Sequence, residues 1–181
     1  MTGRNDFAGI ALEPALAERV AQFDYSEEVI RAGGANADHN WRLLLTHTSA
    51  EWVGDLDGTM ATVTRNAPFQ VMHATGLDVR GWDEMRDFYA TRLQTFQGQG
   101  FVPHRWVVSD SLIVGNGYFS GTPSGVFFGI QTAGKTLCLP MTVWIYFEDG
   151  LIKGEAAYLD GHELRHQIVN GTTRSPRDPV L

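Results

Sequence analysis

Asp160 ends the run Glu155-Ala156-Ala157-Tyr158-Leu159-Asp160 and stands directly before Gly161 and His162. In that position a carboxylate can act as a proton shuttle or cap a helix. Strand side chains alternate, so Ala156, Tyr158 and Asp160 share one face while Glu155, Ala157 and Leu159 share the other. If the first face lines an apolar cavity, the Asp160 pKa is raised toward neutrality and the Tyr158 phenol could polarise a substrate carbonyl beside it. His73 lies in the apolar run Phe69 to Thr75, and imidazole is the usual general base near neutral pH. Asp160, Tyr158 and His73 are therefore the expected catalytic set. Tyr89, His104, Trp106, Trp144 and Tyr146 are the expected substrate-binding residues, although aromatics at helical or alternating spacing more often belong to a core.

Two other motifs fit their chemistry less well. His162-Glu163-Leu164-Arg165-His166 satisfies H-E-x-x-H, in which two histidines one helical turn apart can hold zinc. No His or Glu follows it to supply a third ligand, and Val169 and Thr172 replace the glycine and histidine of the extended form. The segment reads as an exposed closing helix, and no metal is expected. Gly115 to Gly121, GNGYFSG, has the wrong spacing for a dinucleotide turn, and no glycine loop is suited to phosphate. No cofactor is expected, which leaves the chemistry to side chains.

The elements that must position these residues fall into two halves. Leu16, Val20 and Phe23 predict a first helix over Glu13 to Phe23, and Gly33-Gly34 interrupts the pattern. Trp41, Leu44 and Leu45 mark a second helix. Trp52, Leu56, Met60 and Val63 form the stripe of a third segment broken by Gly58. Phe69 to Thr75 reads as a strand. Trp82, Met85, Tyr89, Leu93 and Phe96 mark a long helix ended by Gly98 and Gly100. Beyond it the character turns to β. Val102 to Ser109 and Leu112 to Phe119 form one hairpin; Gly125 to Gln131 and Leu137 to Phe147 form a second around Ala133-Gly134-Lys135; Leu151 to Leu159 follows an Asp149-Gly150 turn. A short helix over His162 to Val169 closes the domain. Helices first and long hairpins last predict an α+β fold with helices covering one face of a bent antiparallel sheet.

With 181 residues, 43% hydrophobic and 19% charged, the chain has the composition of one ordinary globular domain. The expected divisions are a helical extension over 1–37, the main domain over 38–169 and a flexible tail over 170–181. A net charge of −7 without a basic stripe argues against nucleic acid as a partner. The single cysteine, Cys138, excludes an intrachain disulfide. No apolar run has the length of a membrane span, so no membrane partner and a cytoplasmic location are expected.

Three segments carry a family resemblance. GLDVRGWDEMRDFY (Gly76 to Tyr89), TAGKTLCLPMTVWIYFEDGLIKGEAAYLD (Thr132 to Asp160) and DGHELRHQI (Asp160 to Ile168) resemble, in order and spacing, the nuclear-transport-factor-2-like superfamily and its SnoaL-like polyketide cyclases. The resemblance covers roughly residues 38–169. It implies a cystatin-like α+β barrel, a cone of strongly curved antiparallel sheet covered by N-terminal helices, usually paired as a homodimer. It also implies that Asp160 matches the terminal-strand aspartate that moves a proton during ring closure. Some dehydratase relatives pair a strand histidine with a helix aspartate, for which His73 and Asp55 or Asp57 are the matching types. The family strand usually carries tryptophan four residues before the aspartate; here that residue is Ala156. The expected function is a cyclase-, isomerase- or dehydratase-type enzyme acting on a small apolar molecule by side-chain acid/base catalysis. The alternative is a non-catalytic ligand-binding or dimerisation module on the same fold.

Overall fold

The computed structural model describes residues 29–96 and 99–175. The helix expected over Glu13 to Phe23 and the last six residues of the tail lie outside them. Within the described residues the chain runs β1 (Val29–Gly33), α1 (Ala37–Val53), α2 (Leu56–Ala61), β2 (Phe69–Met72), a 3-10 turn (His73–Thr75), β3 (Leu77–Arg80), α3 (Trp82–Thr95) and β4 (Gly100–Ser109). It continues through β5 (Leu112–Gly121), β6 (Val126–Phe127), β7 (Ile130–Gln131), β8 (Leu137–Glu148), β9 (Leu151–Leu159) and α4 (Gly161–Asn170). Seven strands form one sheet in the order β1-β4-β5-β8-β9-β2-β3, so the architecture is α+β, as the order of elements predicts.

The sheet is mixed. Its centre, β4-β5-β8-β9, is antiparallel, whereas β1 joins β4 and β2 joins β9 in parallel. Cross-strand partners share a face, and the register carries two rows across the inner surface. One runs Gln70-Glu155-Ile145-Ile113-Val108 and the next Met72-Ala157-Val143-Gly115-Trp106. Helix α1 lays Trp41, Leu44, His47 and Ala50 inward, and α3 buries Met85, Tyr89 and Leu93. The core therefore lies between these helices and the inner rows.

Two glycines shape the inner surface. A Cβ at Gly115 would lie 2.3 Å from the Trp106 ring, so the missing side chain is what admits the indole. A Cβ at Gly117 would lie 2.1 Å from the Val102 carbonyl oxygen, where the β4 register slips between Pro103 and Arg105. His104 is the residue left over at that slip. Helix α1 is tied to the β4–β5 turn by Asn40 Nδ2, which donates to the Asp110 carbonyl at 2.6 Å.

Several expectations are corrected here. Val29–Gly33 is a strand of the sheet, so the domain starts within the segment expected to be a helical extension. The expected third segment is broken at Gly54, at φ 77°, which puts Trp52 on α1, while Gly58 lies inside α2. His73 is on the 3-10 turn and not mid-strand, because β2 ends at Met72. Gly125 to Gln131 does not pair with β8; β6 and β7 pair with each other, and β8 is already occupied by β5 and β9.

Gly117→Ala should destabilise the domain by about 1–3 kcal/mol, since the new methyl meets backbone that cannot rotate away. Urea unfolding of the two proteins checks this, and an unchanged midpoint would show that the β4 bulge can move aside.

Candidate active site

The alternation predicted for β9 holds, but the inner face is the other one. Glu155 and Ala157 line a cavity of about 460 Å³, while Tyr158 is 47% exposed on the opposite side. Register explains the choice: Glu155 lies opposite Ile145 and Ala157 opposite Val143, both buried, whereas Ala156 lies opposite the part-exposed Trp144. The cavity walls are apolar, with Met72, Val79, Phe119, Phe127 and Met141 among them. Polar groups come from Gln70 and Glu155 on the sheet and from Glu84, Asp87, Thr91, Arg92 and Thr95 along α3.

Arg92 and Glu155 belong to a buried cluster drawn from four elements. His47 and Glu51, one helical turn apart, come from α1; Tyr89 and Arg92 come from α3; Glu155 comes from β9 and Gln70 from β2. Arg92 Nη1 lies 3.2 Å from Glu51 Oε1. His47 Nε2 is 3.6 Å from the same oxygen, 3.7 Å from Glu155 Oε1 and 3.1 Å from the Tyr89 hydroxyl. The Thr62 hydroxyl donates to the Thr59 carbonyl at 2.6 Å, so it accepts from His47 Nδ1–H, also at 2.6 Å. That assigns the Nδ1 proton and turns Nε2 toward the acids.

The two carboxylates are pushed apart in pKa. Burial raises Glu51, but the Arg92 charge and the contacts with His47 and Tyr89 outweigh it and hold Glu51 below the usual carboxylate range. Glu155 is raised, first by burial and then by repulsion from Glu51, against the pull of His47, Arg92 and the Gln70 amide. Burial opposes the charged form of His47, yet Glu51 and Glu155 together leave its pKa above the ordinary value. Tyr89 is driven well up by burial and the two nearby acids, so it stays a phenol. One acid held ionised beside another that keeps its proton more readily is an arrangement suited to acid/base work.

The expected catalytic residues do not line this cavity. Asp160 is exposed and caps α4, accepting from the backbone N–H of His162 at 2.8 Å and of Glu163 at 3.1 Å. Those two bonds hold its carboxyl below the usual range, the opposite of the shift expected for a proton shuttle. His73 is exposed and pairs with Tyr158, ring centroids 6.0 Å apart, away from the cavity wall. Asp55 caps α2, and Asp57 pairs with Arg86 at 2.8 Å.

Of the expected binding residues, Tyr89 is in the buried cluster, and Trp106 lines a smaller recess beside it. Trp144 and Tyr146 lie on the outer sheet face, where Tyr146 packs on Phe69, and His104 packs on Tyr118. His162 and His166 are exposed on α4. Among the described residues no group of three or more His, Cys, Asp or Glu side chains is arranged to hold a metal ion. The residues missed from sequence carried a signal: His47 and Glu51 sit on the apolar stripe of Leu44, and Arg92 on that of Tyr89 and Met85, where charged groups are out of place.

Residues 46–155 match the family of the SnoaL-like domain. Among solved structures, a candidate SnoaL-like polyketide cyclase from Jannaschia sp. CCS1 is 17% identical over 77% of this chain and 98% of its own, with a TM-score of 0.66. TsrD from Streptomyces laurentii is 19% identical over 77% and 100%, with a TM-score of 0.61. An NTF2-like protein of unknown function from Burkholderia pseudomallei K96243 is 17% identical over 74% and 98%, at 0.59. At these identities the likeness concerns the fold. No functionally curated protein matches the sequence significantly.

The raised Glu155 pKa has a defined effect on stability. The folded state holds this proton more tightly than the unfolded chain, so stability is lost as pH rises from the unfolded value of about 4.3 through the raised one. Glu155→Gln removes that loss. The stability of the variant relative to the wild type should increase with pH across roughly pH 4 to 6, below the titration of His47. Urea unfolding at several pH values in that window tests the sign; a flat or falling difference would contradict it.

Proposed function

The chain belongs to the SnoaL-like family, and on that premise we propose that it is a small-molecule isomerase or lyase, of cyclase or dehydratase type, in which Glu155 moves the proton. The observation that carries this reading is a cavity-lining carboxylate, Glu155, beside the Arg92 guanidinium and backed by a second carboxylate, Glu51, with Glu155 raised and Glu51 lowered. Glu155 reaches the cavity and, with its carboxyl held above the ordinary range by burial, can take or return a proton. Glu51 stays ionised and fixes the Arg92 guanidinium. Arg92 faces the same cavity as a fixed positive group able to stabilise negative charge developing on a substrate.

The largely apolar walls support a small, mostly apolar substrate, and the lining carboxylates of Glu84, Asp87 and Glu155 against the single guanidinium of Arg92 disfavour a phosphate. His47 and Tyr89 act from behind: His47 touches Glu51 and Glu155, Tyr89 touches His47, and neither lines the cavity, so they are positioning residues that set the charge balance of the pair. Asp160 is left with closing the fold through α4.

A panel of small apolar ketones, secondary alcohols and conjugated alkenes, with products followed by NMR, identifies a turned-over compound. On it Glu155→Gln should lower kcat by about 10²-fold or more. Asp160→Asn should leave kcat within about threefold, because Asn caps a helix nearly as well as Asp. Loss of activity in Asp160→Asn with retention in Glu155→Gln would reverse the assignment. Saturable binding without turnover of any compound would favour the ligand-binding module.

A further inference from the structure

The polar groups on the main cavity wall are mostly acceptors. Gln70, on β2, lines the cavity at 3% exposure, and its Oε1 has no hydrogen-bond partner among the described residues. The amide nitrogen of Gln70 donates to Glu155, its cross-strand neighbour in the β2–β9 register, so the carbonyl end is the one left over. Glu155 stands beside it on the same wall as a second acceptor. A buried acceptor without a donor is costly, and a ligand that brings N–H groups removes that cost.

Charge points the same way. Glu84, Asp87 and Thr91 follow one another along one face of α3 and line the cavity while exposed, which puts two carboxylates at its mouth. Glu84 accepts from the Arg80 backbone N–H at 3.0 Å, a bond that leaves its charge unbalanced. The neighbouring cations are taken, Arg80 by Asp78 and Arg86 by Asp57 at 2.8 Å, and Asp87 has no ion-pair partner among the described residues. Arg92, the guanidinium of the lining, is committed to Glu51 at 3.2 Å and to Gln99 Oε1 at 2.7 Å. Glu51 lies behind the lining, so it balances Arg92 and leaves the three lining acids over. Phe88, Phe127 and Phe128 line the same cavity, and ring faces attract a cation. A carbonyl or carboxylate would add an acceptor where acceptors are in excess, and a hydroxyl would answer Gln70 but not the charge.

We propose that the cavity takes a molecule made of an apolar body and one protonated amine, the ammonium donating to Gln70 Oε1 and to the Glu155 carboxylate, with Glu84 and Asp87 drawing it in at the mouth. The proposal rests on the reading of this cavity as the substrate site and names the class of molecule held there. An ammonium carries donors and no acceptor, which matches a wall with acceptors to spare. Burying it requires an opposite charge in contact, and Glu155 supplies one from the strand next to Gln70. The same cation holds Glu155 as the carboxylate, the form able to take a proton, so the ligand readies the base that acts on it.

Binding to the full chain tests this without turnover. The probes are N-methyl-2-naphthylmethylamine and 2-(methoxymethyl)naphthalene, which differ by NH₂⁺ against O, titrated by calorimetry near neutral pH and at low salt. The wild type should prefer the amine by about tenfold or more. Glu155→Gln removes the charge and should bring the preference to within about threefold. Gln70→Met keeps the length of the side chain and loses the acceptor, and should lower the preference by about threefold or more, with ether affinity unchanged in both variants. If neither buried variant folds, the exposed pair Glu84→Gln with Asp87→Asn should still cut the preference by about threefold, a loss that added salt reproduces in the wild type. An amine preference in a protein that turns over no compound keeps this proposal and removes the proton-shuttle reading; turnover that depends on Glu155 without an amine preference does the reverse. Equal affinities in the wild type, an ether preference, binding of neither probe, or an amine preference that survives every substitution that folds would overturn the proposal.

Discussion

The ion contact between Arg92 and Glu51, 3.2 Å long and enclosed by helices and sheet, sets the terms for everything around it. Charges taken out of water need partners on several sides, and breaking one such pair by removing a single member is far more damaging than never having built it. Here the partners come from separate elements: His47 from the same helix as Glu51, Tyr89 from the helix of Arg92, Glu155 and Gln70 from the sheet. The cluster thus fastens two helices to the inner sheet face. It also makes Glu155 the odd group. With Arg92 and His47 both drawn to Glu51, the second acid gains only part of their stabilisation and bears the repulsion of the first. A responsive proton arises from the packing.

The apolar shell amplifies this. Its rows follow from strand register, and Gly115 is the position where register and side-chain volume meet. A side chain there would displace the Trp106 indole, and the recess that the indole lines would change shape. Gly115 and Gly117, two residues apart on the same inward face, therefore do different work: one admits a ring, the other admits the bulged backbone of β4. A glycine-rich strand segment in such a sheet is better read as space reserved for a neighbour than as flexibility.

Much of the architecture was legible because periodicity is local. The α3 stripe, the β4–β5 hairpin and the long β8–β9 pair are written in residue spacing, and their order gives the α+β class. What spacing cannot give is which face of a strand turns inward. On β9 both faces carry small or apolar residues and both carry one acid, so Glu155 and Asp160 are equivalent until β8 supplies its register. The β1 strand was illegible for a related reason: VIRAG is short, and it becomes a strand by pairing with a β4 segment more than seventy residues away. The buried cluster was partly legible, since a histidine and an acid on an apolar helix stripe are anomalies, but their partner Arg92 lies on a helix whose facing direction the sequence leaves open.

Asp160 has a structural role at the end of β9. Its two backbone bonds start α4, whose Leu164 and Ile168 are buried in the core. Gln167 on the next turn exchanges two hydrogen bonds with the Cys138 backbone at the start of β8. The cap therefore supports the strand that presents Met141 and Val143 to the cavity and sets the inward face of β9. In a cone of this kind the reactive position is where inward-facing rows converge on a charge they can perturb, and more than one strand residue satisfies that geometry. On β9 that geometry belongs to Glu155, five residues before the terminal aspartate and on the opposite face, while Asp160 keeps the closing helix in place.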